Sequence, residues 1–218
     1  MPDQIQYVLL DLDGTLADTA QDLADALNHT LEQSGRTTLP LETIRPSVSQ
    51  GSIAMIKLAF GLTGTEPEFD DVRNRFLQRY SENIAEYTTL FPGMEKVLQH
   101  LEDNAMPWGI VTNKTTWLTV PLMRALQLHE RAGCIVCGDT VEFAKPHPAP
   151  MLHACEILGC TPKQTIYVGD ARRDVEAGRN AGMKTLVASY GYIDADEQPE
   201  TWGADGMVDT PLEILNWL

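Results

Sequence analysis

The amino-acid sequence predicts an α/β fold, in which an all-helical cap subdomain is inserted into a doubly wound parallel-sheet (Rossmann-like) core. The chain opens with a short apolar run, residues 7–10, that stops at an acidic turn, as a buried parallel strand does. No strand pattern follows in residues 16–87. From Phe91 onward, strand-like runs alternate with helical stretches, which is typical of a parallel sheet covered on both faces.

The inserted segment has the spacing of three helices. Leucines repeat every fourth residue from Leu23 to Leu31, and a second helical stretch covers residues 52–60. A third helix is expected over about residues 68–87, with one apolar face. The arginines of this third helix stand among acidic residues and are expected to face solvent. They are Arg73, Arg75 and Arg79.

After the insertion, the apolar runs predict four more strands separated by helices. The expected strands are residues 108–112, 134–137, 165–168 and 184–188, and the expected helices are residues 94–104, 117–126, 149–158 and 174–181. We therefore expect residues 1–15 and 88–218 to form the core domain and residues 16–87 to form the helical cap domain.

The net charge, the length of the apolar runs and the cysteine spacing limit the partners, the location and the kind of site that we expect for this protein. The formal net charge of the 218-residue chain is -15, which disfavours nucleic acids and anionic membranes as partners. No apolar run approaches the roughly 18 residues of a membrane span, and the acidic-polar start does not resemble a signal peptide, so a cytoplasmic location is expected. Cys134 and Cys137 have C-x-x-C spacing inside an apolar run, and no second pair has the spacing of a zinc site, which favours buried reduced thiols over a zinc or redox site.

Polar residues follow four of the predicted strands, three of them where the strand ends and Lys145 in the segment after Cys137. They are Asp11 and Asp13, Thr112 and Asn113, Lys145, and Asp170 with Asp174. Each has an ordinary explanation alone, as a helix cap or a surface charge. However, the carboxyl ends of parallel strands meet at one edge of a sheet, where ligands bind. Their joint occurrence indicates an active site.

The pair Asp11-x-Asp13 suits acid-base or nucleophilic chemistry. One carboxylate can act as nucleophile or metal ligand, while its neighbour serves as the acid or base. In so acidic a chain, an anionic substrate would need a metal ion and a few well-placed Lys or Arg residues to reverse the local charge.

The motifs, taken in order, resemble those of the haloacid dehalogenase superfamily over essentially the whole chain. They are Asp11-x-Asp13-Gly14-Thr15, Thr112, Lys145-Pro146 and Gly169-Asp170-x-x-x-Asp174. The helical insertion resembles the cap of phosphoglycolate phosphatase-like members. Three further segments are similar to a bacterial branch that acts on N-acetylmuramic acid 6-phosphate: residues 108–114, 190–193 and 202–205.

This resemblance implies a set of catalytic residues. Asp11 would attack phosphorus, and Asp13 would protonate the leaving group and later activate water. Thr112 and Lys145 would hold the phosphate oxygens as charge shifts.

The resemblance also implies a Mg²⁺ cofactor. Its oxygen ligands would come from Asp11, the backbone carbonyl of Asp13, and Asp170, with Asp174 orienting this set from outside. Gly14 and Asn113 would contribute to phosphate binding.

The inserted segment holds the candidates for substrate selection. Arg45, in a Pro-Ser-rich loop, could bind a substrate carboxylate bidentately, and Ser49 could bind a sugar hydroxyl. Lys57 could serve as a Schiff-base lysine. The alternatives are ordinary loop chemistry for the first two and a surface lysine for the third.

The expected function is Mg²⁺-dependent hydrolysis of a small organic phosphomonoester, of the phosphoglycolate phosphatase type. An N-acetylmuramic acid 6-phosphate phosphatase and a sugar-phosphate mutase, which a bisphosphate would stimulate, are the enzymatic alternatives. A phospho-accepting receiver module is the non-enzymatic one, although receivers are shorter and carry their acid pair apart from the nucleophile. The expected partner is a small-molecule phosphate ester, with neither nucleic acid nor membrane involved, and the expected state is a monomer or homodimer.

Overall fold

The structure is a computed structural model that describes residues 4–218, and its core is a six-stranded parallel sheet. The strands in chain order are β1 (Tyr7–Leu10), β2 (Ala17–Asp18), β3 (Thr89–Leu90), β4 (Trp108–Val111), β5 (Cys134–Val136), β6 (Thr165–Gly169), β7 (Lys184–Ala188) and β8 (Gly206–Val208). The spatial order is β5-β4-β1-β6-β7-β8. Leu10, the last residue of β1, lies opposite Ile110 and Val168. The central strands therefore end at the same edge of the sheet.

Helices cover both faces of this sheet, as predicted. They are α1 (Ala20–Gln33), α2 (Leu41–Ile44), α3 (Ser52–Phe60), α4 (Phe69–Glu82), α5 (Met94–Asp103), α6 (Thr116–Ala125), α7 (Ala149–Leu158) and α8 (Arg172–Ala181), with short 3-10 helices at Arg45–Ser47, Pro162–Gln164, Pro199–Thr201 and Pro211–Trp217. Val8 and Leu10 pack in one apolar cluster with α5 and α6. Leu9 points the other way and packs with α7 and α8. This alternation along β1 gives the sheet two buried faces.

The inserted helices have an apolar cluster of their own. α1, α3 and α4 contribute Leu27, Ile56 and Phe76, which are all fully buried. Phe91 and Tyr192 from the core join this cluster, so the insertion packs directly on the core.

A short antiparallel ribbon, β2 paired with β3, stands where the chain leaves and re-enters the core. The expectation that residues 16–87 contain no strand is therefore wrong for β2. A two-residue strand has no alternation to detect, and its partner lies on the far side of the insertion. The helix expected over residues 68–87 also ends earlier, at Glu82, and Ala85 just beyond it has a left-handed φ of 61°.

The cysteines lie where the apolar runs predicted. Cys134, Cys137 and Cys155 are buried, and all four cysteines are free thiols. Within residues 4–218, no helix combines the length and apolar character needed to span a membrane.

Candidate active site

The polar residues after β1, β4 and β6 meet at one edge of the sheet, next to the inserted helices. A cavity of about 230 Å³ lies there. The core lines it with Asp11, Asp13, Thr112 and Asn113, and the insertion adds Ser49. The register of the three strands is the reason that these residues, distant in sequence, share one cavity.

Three buried carboxylates form a cluster beside this cavity. Asp11, Asp170 and Asp174 each offer an oxygen, and these atoms lie within 4.8 Å of one another. Lys145 is fully buried among them, with its Nζ 2.9 Å from Asp11 Oδ1 and 2.7 Å from Asp174 Oδ1. Burial raises the pKa of Asp11 above its ordinary value, and the Lys145 ammonium opposes that rise. One lysine thus partly offsets the charge of the cluster.

Asp170 has one carboxylate oxygen that is bound and one that is buried without a partner. Its Oδ2 accepts hydrogen bonds from Ser49 Oγ at 2.5 Å and from the backbone N–H of Tyr192 at 2.8 Å. Its Oδ1 is buried without a hydrogen-bond partner among the described residues. Burial and the nearby carboxylates raise the pKa of Asp170 to about 7. A hard divalent cation would satisfy the free oxygen and remove the repulsion, so the donor set fits Mg²⁺.

Gly14 occupies a position that no other residue could fill without displacement. Its φ is +82°, and a Cβ there would lie 2.1 Å from Asp170 Oδ2 and 2.9 Å from Ser49 Oγ. The absence of a side chain therefore allows the backbone after β1 to approach the carboxylate cluster.

Asp13 faces away from the carboxylate cluster, toward the insertion. Its Oδ1 accepts a hydrogen bond from Thr19 Oγ1 at 2.6 Å and lies 2.9 Å from Lys114 Nζ. The Lys114 ammonium also lies 4.5 Å from the centre of the Tyr80 ring. Burial opposes the charged form of Lys114, but Asp13 raises the pKa of this lysine above its usual range, so it stays protonated.

The sequence reasoning did not identify Lys114 as a site residue. The feature of the sequence that could have identified Lys114 is its position, directly after the polar pair Thr112-Asn113 at a strand end. Thr112 is buried in the cavity wall, and its Oγ1 accepts a hydrogen bond from the Lys114 backbone.

The side chain of Asn113 is engaged with the Lys145 backbone. Its Nδ2 donates to the carbonyl of Lys145 at 2.9 Å, and its Oδ1 accepts from the Lys145 N–H at 3.0 Å. The side-chain amide thus fixes the loop that carries Lys145, and it is not free to donate to a phosphate as expected.

Of the three substrate candidates in the insertion, the structure brings only Ser49 to the cavity. Arg45 instead makes two hydrogen bonds to Asp18, at 3.0 and 2.9 Å, and stacks 4.7 Å from the centre of the Tyr192 ring. Lys57 is exposed on α3, away from the cavity. Arg45 is held by its ion pair with Asp18, and Lys57 lies on the side of α3 that faces solvent.

Two other arginines line the cavity. Arg173, at the start of α8, donates to the backbone carbonyl of Ser49. Arg73, on α4, donates from Nε to Ser52 Oγ at 2.8 Å. The expectation that Arg73 faces solvent is therefore wrong, whereas Arg75 does pair with Asp71 on the surface. The local sequence of α4 shows acids near all its arginines, but it does not show which face meets the cavity.

Comparison with known proteins places these features in a family. The model of the haloacid dehalogenase-like hydrolase family matches residues 8–188. An N-acetylmuramic acid 6-phosphate phosphatase from Pseudomonas putida is 39% identical over 97% of this chain and 95% of its own length. A phosphoglycolate phosphatase from Xanthomonas campestris is 39% identical over 95% and 93%. The crystal structure of a predicted phosphoglycolate phosphatase from Haemophilus somnus superposes with a TM-score of 0.87 at 27% identity, covering 98% of this chain and 97% of that one.

Proposed function

The chain belongs to the haloacid dehalogenase-like hydrolase family, and we propose that it hydrolyses a small organic phosphomonoester with Mg²⁺, through an aspartyl-phosphate on Asp11. Its class, a phosphoric monoester hydrolase, follows from that family and from phosphatases that match nearly its whole length. The observation that carries the proposal is the buried cluster of Asp11, Asp170 and Asp174 beside the cavity, which Asp11 itself lines. Residues 16–87 are proposed as the cap domain over a core of residues 1–15 and 88–218.

The proposed Mg²⁺ ligands are Asp11, the backbone carbonyl of Asp13, and Asp170. The free Oδ1 of Asp170 supports this assignment, because a buried oxygen without a partner is costly unless a ligand satisfies it. Asp174 is proposed to act from outside the ligand set, since its oxygens accept from the Ala171 N–H and pair with Lys145. A cation held there supplies positive charge for the phosphate oxygens and for the developing transition state.

Asp11 is proposed as the nucleophile. Its Oδ1 accepts a hydrogen bond from the Leu12 N–H at 2.8 Å and pairs with Lys145, so the carboxylate is held in one orientation at the end of β1. This anchoring leaves Oδ2 available for attack. Phosphorus then bonds to Asp11 as the alkoxide leaves, and water later cleaves the aspartyl-phosphate.

Asp13 is proposed as the acid that protonates the leaving alkoxide and as the base that then activates water. Thr19 and Lys114 hold its Oδ1, which leaves Oδ2 free for proton transfer. Because Tyr80 of the insertion packs on Lys114, which pairs with Asp13, the position of Asp13 depends on how the insertion packs on the core.

Thr112 and Lys145 are proposed to stabilise the phosphoryl group, with Gly14 permitting its close approach. Thr112 lines the cavity, and Lys145 places a positive charge beside Asp11. For Asn113, the remaining route to the phosphate is its backbone N–H.

The cavity favours an acidic amino-sugar phosphate over phosphoglycolate. It is lined by apolar side chains of the insertion as well as by polar ones, among them Met55, Phe76 and Leu77. A two-carbon acid offers nothing for this wall to contact, whereas an acylated sugar does. N-acetylmuramic acid 6-phosphate is therefore the proposed substrate, and phosphoglycolate is the alternative.

The four free thiols support a reducing compartment such as the cytoplasm as the place of action.

Phosphate release from a panel of esters tests the proposal. N-acetylmuramic acid 6-phosphate, phosphoglycolate and an aryl phosphate would each be assayed with Mg²⁺ and with a chelator, using Asp11→Asn as the inactive control. We expect Mg²⁺-dependent release that the variant abolishes. Absence of turnover for every ester with Mg²⁺ would contradict the proposed function.

A further inference from the structure

One face of α4 lines the cavity over two helical turns. Arg73, Phe76, Leu77 and Tyr80 all contribute to the wall, with the three- and four-residue spacing of a single helix face. Seven residues of helix rise about 10 Å, so this face extends the cavity well beyond a phosphate group.

The Tyr80 end of this face lies at the reaction centre. Its ring packs against Lys114, which is paired with Asp13. The Tyr80 hydroxyl is buried without a hydrogen-bond partner among the described residues. Burial also raises its pKa to about 12, so the hydroxyl keeps its proton and remains a donor. A buried donor of this kind would be satisfied by a bound ligand.

The Arg73 end carries a cation without an acidic partner. Its Nε donates to Ser52 Oγ, and its two terminal nitrogens have no hydrogen-bond or ion-pair partner within residues 4–218. Of the other two cations that line the cavity, Lys114 pairs with Asp13. Arg173 donates to the Ser49 carbonyl and lies near the carboxylate cluster, although its buried Nε has no hydrogen-bond partner among the described residues. In a chain with 31 acidic residues, an arginine held in a cavity wall without a carboxylate is available for an anionic ligand.

We propose that Arg73 determines substrate specificity by binding a carboxylate of the substrate, which an apolar or acylated segment separates from the phosphoester. Ser52 holds the guanidinium through Nε, and the terminal nitrogens face the ligand. Phe76 and Leu77 contact the segment between the two anionic groups. This inference rests on the proposed function and specifies how its site selects among esters.

The geometry distinguishes between the two candidate substrates. In phosphoglycolate, three bonds join phosphorus to the carboxylate carbon, which places them at most about 4 Å apart. A carboxylate that close to the phosphate would stay near Asp11 and Asp13. In N-acetylmuramic acid 6-phosphate, more than twice as many bonds separate the two groups, so the acid can lie along α4 toward Arg73.

The test compares Arg73→Ala with Arg75→Ala, a matched control on the same helix whose guanidinium pairs with Asp71 at the surface. Each variant would be assayed with N-acetylmuramic acid 6-phosphate, with N-acetylglucosamine 6-phosphate, which lacks the lactyl carboxylate, and with an aryl phosphate. We expect Arg73→Ala to raise KM for the acidic sugar about 10- to 100-fold. The other two esters should change less than about threefold, and the control should change none.

Two further variants separate binding from folding. Arg73→Lys should recover part of the loss, because it restores the charge without the planar fork. Ser52→Ala removes the acceptor that orients Arg73 but keeps the charge, so it should affect only the acidic sugar, and more weakly. Thermal unfolding of each variant is the measurement that reports any folding defect.

Three results would overturn the assignment of Arg73: equal losses on all three esters, no effect of Arg73→Ala on the acidic sugar, or no preference of the unaltered protein for the acidic sugar over the neutral one. Failure of the proposed function gives a different result, since the unaltered protein would then release phosphate from no ester, the aryl phosphate included.

Discussion

Replacing Gly14 with alanine tests whether the close approach of the first loop to Asp170 is needed for activity. The added Cβ would lie 2.1 Å from Asp170 Oδ2, a distance that carbon and oxygen atoms do not share without a bond. Asp170 is buried, and Ser49 and Tyr192 hold this same oxygen. The carboxylate therefore cannot move aside without losing these contacts.

The size of the effect follows from the displacement. The contact must lengthen by about 1 Å before it becomes tolerable, and a misplacement of about 1 Å in a catalytic group lowers activity on the order of 100-fold. A displaced Asp170 should also raise the Mg²⁺ concentration for half-maximal activity by about tenfold or more. The left-handed φ of +82° adds a folding cost of roughly 1–2 kcal/mol for alanine.

Gly35 supplies the matched control, because its φ is +66° and a Cβ there would meet nothing within 4 Å. Both variants carry the backbone cost of a left-handed alanine, and Gly14→Ala should lose further free energy of unfolding, measured by urea denaturation, because its Cβ displaces a buried carboxylate. Only Gly14→Ala should lose kcat/KM on an aryl phosphate and require more Mg²⁺. The same activity and the same Mg²⁺ dependence in both variants would show that Asp170 tolerates a side chain at position 14 and that its close approach to Gly14 is not needed.

Two other predictions concern Asp11 and Asp13, which follow β1, and Asp18, which lies in β2. Asp11→Asn should lower kcat by several orders of magnitude, measured as phosphate release. Asp13→Asn should accumulate phosphate on Asp11 from an aryl phosphate, because no base activates water. Mass spectrometry of the trapped protein locates the phosphate, and phosphate on another residue would contradict the assignment. Half-burial alone would raise the pKa of Asp18, but the Arg45 guanidinium lowers it below its ordinary value of 3.8. The pair therefore contributes stability at neutral pH that disappears as the pH falls through this depressed pKa, so Arg45→Ala should cost about 1 kcal/mol in urea denaturation at pH 7 and progressively less in acid. A pH-independent cost would show that packing on Tyr192, not charge, is responsible.

The core and its catalytic edge could be predicted because their signals are local. Residues 7–10 are a short apolar run with clear ends, residues 184–188 end in the apolar segment Leu-Val-Ala, and the structure has strands with both bounds. Parallel strands carry their polar residues at one edge, so the meeting of Asp11, Thr112 and Asp170 followed from strand order alone.

The interactions that sequence reasoning missed depend on distant partners. The Arg45 guanidinium could bind a substrate carboxylate, but it pairs instead with the carboxylate of Asp18. Arg73 and Arg75 have similar neighbours in sequence, and only the packing of α4 decides that the first lines the cavity. Lys114 depends on Asp13 and on Tyr80, which reaches it from the insertion.

The charges around the reaction centre explain how so acidic a chain can bind an anionic ester. Four carboxylates and three cations stand there: Asp11, Asp13, Asp170 and Asp174, with Lys114, Lys145 and Arg173. With all of these groups ionised, one negative charge remains, and a phosphomonoester dianion would be repelled. A divalent cation bound there would turn this balance to one positive charge, and Asp170, whose pKa is raised to about 7 without it, would become fully ionised. Phosphate affinity and metal affinity would therefore be coupled through the same buried carboxylates. Arg73 lies outside this group, so its positive charge remains available to a second anionic group on the substrate.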